Sequence, residues 1–193
     1  MTFLISIIIA YLLGSISFAI IIAKWLKLPD PRSEGSGNPG ATNILRLGGK
    51  QAAIYVLLGD AFKGLLAVLI ARLLHQHGVS LSFVAFAAVA GHIFPVFFKF
   101  KGGKGVATAI GAILGLSFWV ALFLMATWVV VALLFRYAAA ASVIMAIAAP
   151  LFMLIAGHGD YTFPVFLITL LIIWKHWENI QRLKKGTESK MKF

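Results

Sequence analysis

Solid apolar runs alternate with short polar stretches along almost the whole chain. The runs cover roughly residues 3–25, 52–74, 80–98, 105–116, 117–135, 138–157 and 162–177. An α-helix needs about 20 apolar residues to cross a bilayer's hydrocarbon core. A transmembrane β-barrel would show alternating segments of about ten residues, and these runs are unbroken. The pattern predicts an all-α polytopic integral membrane helix bundle with about seven transmembrane helices. The fourth run is short, so it is either a tilted span or continuous with the fifth. No stretch reads as a separate soluble domain, and residues 1–193 are read as a single domain. No internal repeat stands out. The first run lacks a basic leader segment and is read as a retained span.

Composition agrees with the pattern. The chain is 61% hydrophobic and 12% charged, whereas a soluble domain carries about 25% charged residues. The net charge of +11 would suggest nucleic acid in a soluble protein. In a membrane protein it follows from Lys and Arg collecting in cytoplasmic loops. With the N-terminus outside and seven spans, one face receives Lys24, Lys27, Arg32, Arg46, Lys50, Lys99, Lys101, Lys104 and Arg136. Lys175, Arg182, Lys184, Lys185, Lys190 and Lys192 join them there. Arg72 falls near the other face and Lys63 within a span. This predicts a cytoplasmic C-terminus. The absence of cysteine removes thiolate chemistry and disulfides from consideration.

The polar stretches then converge on one side. The first is Gly35-Ser36-Gly37-Asn38-Pro39-Gly40-Ala41-Thr42-Asn43, followed by Arg46. It is read as a loop over 35–46, introduced by Pro29 and Pro31, which stop the first helix. Its glycines admit a ligand close to the backbone, its hydroxyls and amides supply hydrogen bonds, and Arg46 is a forked phosphate donor. An ordinary loop with a cytoplasmic Arg is the alternative. The second is Lys99-Phe100-Lys101-Gly102-Gly103-Lys104-Gly105, running into a new helix at Val106. Glycines ahead of a helix present free amides and a positive dipole end to an anion. It is not a nucleotide-binding P-loop, because position 98 is Phe and position 105 is Gly. A tight turn with interfacial lysines is the alternative.

The third stretch runs from Lys175 to Leu183. Helical spacing brings Lys175, His176, Asn179 and Arg182 to one broad face. A basic juxtamembrane helix anchored by Trp174 and Trp177 gives the same pattern. Asp60 and Lys63, three apart within the second span, read as a structural ion pair. His92 in the third span reads as a hydrogen-bonded structural group or a second functional imidazole. Ser142 begins the sixth span near the same face.

Together these segments resemble one family closely. Gly14-Ser15, Gly35 to Asn43 with Arg46, Asp60 with Lys63-Gly64, and Gly91-His92-Ile93-Phe94-Pro95 match in order. Gly102 to Thr108, and His176 with Asn179-Ile180 and Arg182-Leu183, complete the set. The family is the bacterial acyl-phosphate:glycerol-3-phosphate acyltransferases. Two departures are Lys175, where Arg is expected, and Pro39, where an aliphatic residue is expected. The resemblance implies a multi-pass enzyme of the bacterial cytoplasmic membrane, its active site facing the cytoplasm. It would transfer an acyl group from acyl phosphate to the 1-hydroxyl of sn-glycerol 3-phosphate, the first acylation of phospholipid synthesis. The products would be lysophosphatidic acid and inorganic phosphate.

On this reading acyl phosphate lies on Ser36, Gly37, Asn38, Thr42, Gly102 and Gly103. Glycerol 3-phosphate lies on Arg46, Lys104, Ser142, His176, Asn179 and Arg182. Ser36, Arg46, Lys104 and His176 are the expected catalytic residues. The acyl chain is expected in an apolar groove open to lipid. No cofactor, metal, nucleic acid or obligate protein partner is implied. Acyl phosphate is a mixed anhydride and already activated, so no covalent enzyme intermediate is required. The proton passes to a substrate phosphate oxygen or to His92 or His176. A membrane transporter of a phosphorylated metabolite is the alternative function, since it too needs an anion site between helices.

Overall fold

The computed structural model describes residues 1–191. Lys192, counted above among the cytoplasmic cations, lies outside the described residues. The described chain is helical throughout. It comprises α1 (Thr2–Gly14), α2 (Phe18–Trp25), α3 (Ala41–Leu73), α4 (Gly78–Ile93), α5 (Val106–Leu116), α6 (Phe118–Phe135), α7 (Ala138–Ile155), α8 (Gly159–Lys175) and α9 (Trp177–Lys184). A short 3₁₀ turn at Val96–Phe98 follows α4. Five segments are long and apolar enough to cross a membrane: Thr2–Trp25, Ala41–Leu73, Gly78–Phe98, Phe118–Phe135 and Ala138–Ile155. α5 is shorter, with 11 residues, and α8 has 17.

The first run is one membrane passage but two helices. The chain breaks between Gly14 and Phe18, and the carbonyl of Ile16 turns to the Lys63 ammonium at 2.5 Å. The expected loop over 35–46 is shorter than the sequence suggests. α3 begins at Ala41, so Thr42, Asn43 and Arg46 are helical. The polar start of α3 lacks hydrophobic periodicity, which is why it reads as loop. A kink at Gly49, with φ of 79°, separates this polar turn from the apolar span. Only glycine adopts that backbone cheaply.

Two helix pairs pack closely through small residues. A Cβ on Gly14 would lie 2.1 Å from the Ala88 carbonyl, and one on Gly91 would lie 2.2 Å from the Tyr11 carbonyl. These glycines let α1 and α4 touch along their backbones. Gly64 and Gly111 do the same for α3 and α5, where a Cβ on Gly111 would lie 1.8 Å from the Ala61 carbonyl. Small residues at such contacts replace the hydrophobic drive that lipid cannot supply. The main buried cluster, including Val68, Ala88, Ile113, Met145 and Ile168, joins these pairs to α6, α7 and α8. The short α5 is thereby held centrally, with its N-terminus aimed at the polar segments.

Candidate active site

Asn43 organises the first polar segment. It is 1% exposed although Thr42 beside it is open. Its Oδ1 accepts from the Ser36 amide at 2.9 Å. Its Nδ2 donates to the Pro31 and Glu34 carbonyls, each at 2.9 Å. Gly35 has φ of 64°, and a Cβ there would strike Asn43 Oδ1. The loop is therefore wrapped around one amide side chain. The Gly37 amide donates to the Glu34 carbonyl at 3.1 Å. The amides of Ser36 and Gly37 are thus used within the loop, which corrects the expectation that they face an anion. What this segment exposes is the Ser36 and Thr42 hydroxyls and the Arg46 guanidinium.

The second segment has the opposite character. Lys99 and Phe100 both adopt left-handed backbone, and the Phe100 and Lys101 amides return to Pro95 and Phe98. After that turn, the amides of Gly102, Gly103 and Lys104 find no protein acceptor among the described residues. Gly103 is buried, and a buried amide without a partner is uncommon. These amides lead directly into the N-terminus of α5, a favourable place for an anion. The turn touches the first segment, since a Cβ on Gly103 would lie 3.0 Å from the Pro39 carbonyl.

The third segment supplies the cations. The Lys104 ammonium donates to Asn179 Oδ1. Asn179 Nδ2 donates to Glu188 Oε1 at 2.6 Å, and Arg182 Nε donates to Glu188 Oε2 at 2.7 Å. Burial pulls the Lys104 ammonium down to about 8, with Glu188 opposing and Arg182 reinforcing the shift. His176 follows the end of α8 and is buried. Its Nδ1 lies 2.8 Å from the Ile172 carbonyl. A carbonyl only accepts, so Nδ1 carries the proton and neutral His176 leaves an Nε2 lone pair. Burial, and then the charge of Lys104, pulls this imidazole down to about 4.

Beneath the glycine turn lies a polar group inside the bundle. Asp60 pairs with Lys63 at 2.7 Å, both buried. His92 Nδ1 lies 3.6 Å from Asp60 Oδ1 and 3.1 Å from Thr108 Oγ1. Among the described residues, no cluster of three or more carboxylates and imidazoles could hold a metal ion.

The glycerol-3-phosphate acyltransferase family model matches residues 4–186. A glycerol-3-phosphate acyltransferase from Coxiella burnetii is 67% identical over 192 residues, covering all of both chains. This chain belongs to the glycerol-3-phosphate acyltransferase family. One from Legionella pneumophila is 50% identical, over 99% of this chain and 69% of its own length. The crystal structure of PlsY (YgiH), an integral membrane glycerol 3-phosphate acyltransferase, superposes in its glycerol 3-phosphate form with a TM-score of 0.94. It is 44% identical and covers 100% of this chain and 96% of its own. Its lysophosphatidic acid form gives 0.92. Membership in an acyltransferase family displaces the transporter alternative.

In this acyltransferase, Lys104, Asn179 and Arg182 come together through Glu188. His176 joins them through the field of Lys104. Arg46 is exposed on the polar turn of α3. The Ser142 hydroxyl donates to the Ala138 carbonyl at 2.8 Å and accepts from Trp128 Nε1 at 3.1 Å. No hydrogen bond links it to Lys104, Asn179 or His176. Sequence reasoning missed Glu188 and the inward role of Asn43. Asn43 lay within the quoted motif, but nothing in its identity shows which way its amide turns. Glu188 follows Gly186 in a charged tail that reads as solvated.

Proposed function

We propose that this acyltransferase uses acyl phosphate as its donor. It moves the acyl group to the 1-hydroxyl of sn-glycerol 3-phosphate and releases lysophosphatidic acid and inorganic phosphate. The observation that carries this reading is a run of amides unpaired among the described residues, adjoining a cluster of cationic side chains. Three unused amides at Gly102, Gly103 and Lys104 stand beside the Lys104–Asn179–Arg182 set. Two phosphorylated substrates need two such places. The glycerol 3-phosphate form of the solved relative supports one of the two occupants.

The acyl-phosphate headgroup lies on the Gly102 and Gly103 amides, with the Ser36 and Thr42 hydroxyls and Asn38 closing over it. Glycerol 3-phosphate lies against Arg46, Lys104, His176, Asn179 and Arg182, with Ser142 behind them. The acyl chain takes the groove of about 570 Å³ lined by Phe3, Ile7, Tyr11, Phe83, Phe86 and Ala90. Tyr11, which lines it, donates its hydroxyl to the Phe94 carbonyl at 2.6 Å, two residues past His92. The polar segments face the cytoplasm, as the distribution of Lys and Arg favours.

The hydroxyl oxygen attacks the acyl carbonyl carbon, and the bond from that carbon to the phosphate oxygen breaks. The protein contributes orientation and donors for charge growing on the leaving phosphate. His176, held near 4, is a weak base. The hydroxyl proton therefore passes to a substrate phosphate oxygen, whose second ionisation lies near 6. Acyl phosphate labelled in its acyl chain and, separately, in its phosphoryl group tests this account. The phosphoryl label must appear as inorganic phosphate in step with acyl label in lysophosphatidic acid, with no acyl label on the protein when glycerol 3-phosphate is withheld. Acyl label bound covalently to the protein refutes the direct transfer.

A further inference from the structure

His92 is more than nine-tenths buried, with 7% exposure, yet it does not face apolar side chains alone. Its ring reaches the underside of the glycine turn. A Cβ on Gly103 would lie 2.3 Å from His92 Nε2, and a Cβ on Gly102 would lie 2.0 Å from the His92 carbonyl. The turn can press against residue 92 only because both positions lack side chains. The opposite ring nitrogen is fixed: Nδ1 has Thr108 Oγ1 at 3.1 Å and Asp60 Oδ1 at 3.6 Å. Among the described residues no hydrogen bond reaches Nε2. No buried side-chain nitrogen or oxygen among them lacks a partner, so Nε2 opens toward the turn. The unused Gly102 and Gly103 amides are its neighbours there.

We infer that His92 is a further substrate-contacting residue, whose Nε2–H donates to a phosphoryl oxygen held on the Gly102–Gly103 amides. The proposal rests on the phosphate-binding reading of that turn. In this arrangement the Thr108 hydroxyl donates to Nδ1, which leaves the ring proton on Nε2. Asp60 is a positioning residue: its Oδ1 stands 3.6 Å from Nδ1 on the side of α3 and is itself held by Lys63 at 2.7 Å. Lys63 is anchored in turn by the Ile16 carbonyl at the break in the first span. The chain of contacts from that break to the turn gives a reason for a charged pair deep in the bundle. It keeps one imidazole aimed at the anion site. A phosphoryl group of either substrate, donor or acceptor, fits this chemistry.

The test compares His92→Leu with His92→Gln in the purified full-length enzyme. Leu fills the space and cannot donate, whereas Gln restores an amide donor. A lost hydrogen bond to a charged group predicts about a tenfold or greater rise in KM for one substrate in His92→Leu. His92→Gln recovers most of it, and both variants keep their melting temperature. A rise for palmitoyl phosphate puts the donor on the turn, and a rise for glycerol 3-phosphate puts the acceptor there. Unchanged KM values, or the same loss in Leu and Gln, overturn the inference. If His92→Leu loses its fold, ¹⁵N-labelled wild-type enzyme gives the answer. Saturating glycerol 3-phosphate and a non-reactive alkyl phosphonate are added in turn, and a His92 Nε2 resonance unmoved by either overturns it. Failure of the donor reading is separate: wild-type enzyme then shows no turnover with palmitoyl phosphate, while the resonance still reports on phosphate binding.

Discussion

The Glu188 carboxylate accepts from Asn179 Nδ2 at 2.6 Å, while the oxygen of that same amide accepts from the Lys104 ammonium. One carboxylate in the C-terminal tail thereby fixes which end of Asn179 faces the site. Glu188 also takes the Arg182 Nε–H, and its side chain is only 10% exposed. Removing it frees both partners. Glu188→Ala is expected to cost about 1–3 kcal/mol of stability and to raise the KM for glycerol 3-phosphate. Glu188→Gln keeps one of the two bonds and falls between. Thermal unfolding and steady-state kinetics check this, and a Glu188→Ala enzyme with normal stability and KM contradicts it.

On the proposed reading Lys104 and Arg46 carry charge toward the substrates; Arg46 is exposed, and among the described residues the fold contact of Lys104 is its single bond to Asn179. Lys104→Ala and Arg46→Ala are expected to lower kcat/KM about 30-fold or more, as loss of a charge-assisted hydrogen bond of about 2 kcal/mol would. Size-exclusion profiles and melting temperatures should match wild type. Near-normal turnover in either variant removes that residue from the anion site.

The depressed Lys104 value gives the pH dependence its sign. The ammonium is charged below about 8 and neutral above it, so anion binding by the free enzyme weakens as pH rises through 8. A bound phosphate favours the ammonium and raises its pKa. The alkaline limb of kcat/KM should therefore fall near 8, with the limb of kcat at higher pH. Lys104→Arg, whose guanidinium stays charged, should abolish the kcat/KM limb. A limb unchanged in Lys104→Arg assigns it to another group.

Glycines of the turn and of the helix contacts should fail differently. In Gly103→Ala the methyl meets His92 Nε2 and the Pro39 carbonyl, both at the site. Activity should drop strongly while the bundle holds. In Gly111→Ala it meets the Ala61 backbone between α3 and α5, and overpacking of that kind costs about 1–3 kcal/mol or more. The melting temperature should fall first. Equal unfolding of both variants would show that the turn supports the fold instead of the ligand.

The helices were legible because apolar runs and polar gaps differ sharply along this chain. The three polar segments and their common face were legible for the same reason. The start of α3 was hidden: Thr42 to Leu47 lie on a helix whose environment is set by the loop around Asn43, not by lipid. The division of the amides was hidden too. Gly37 and Gly103 look alike in sequence, but one donates to Glu34 and the other has no acceptor among the described residues. Glu188 pairs with Asn179 across nine positions, a contact made by the turn after α9, and no helical spacing announces it.

The central claim is that two phosphorylated substrates meet at this face and that the donor is an acyl phosphate. Purified enzyme is supplied with labelled glycerol 3-phosphate and, in separate reactions, palmitoyl phosphate, palmitoyl-CoA or palmitoyl-acyl carrier protein. The account predicts labelled lysophosphatidic acid from palmitoyl phosphate alone, with an equal amount of inorganic phosphate. Product from either thioester with none from palmitoyl phosphate would contradict it.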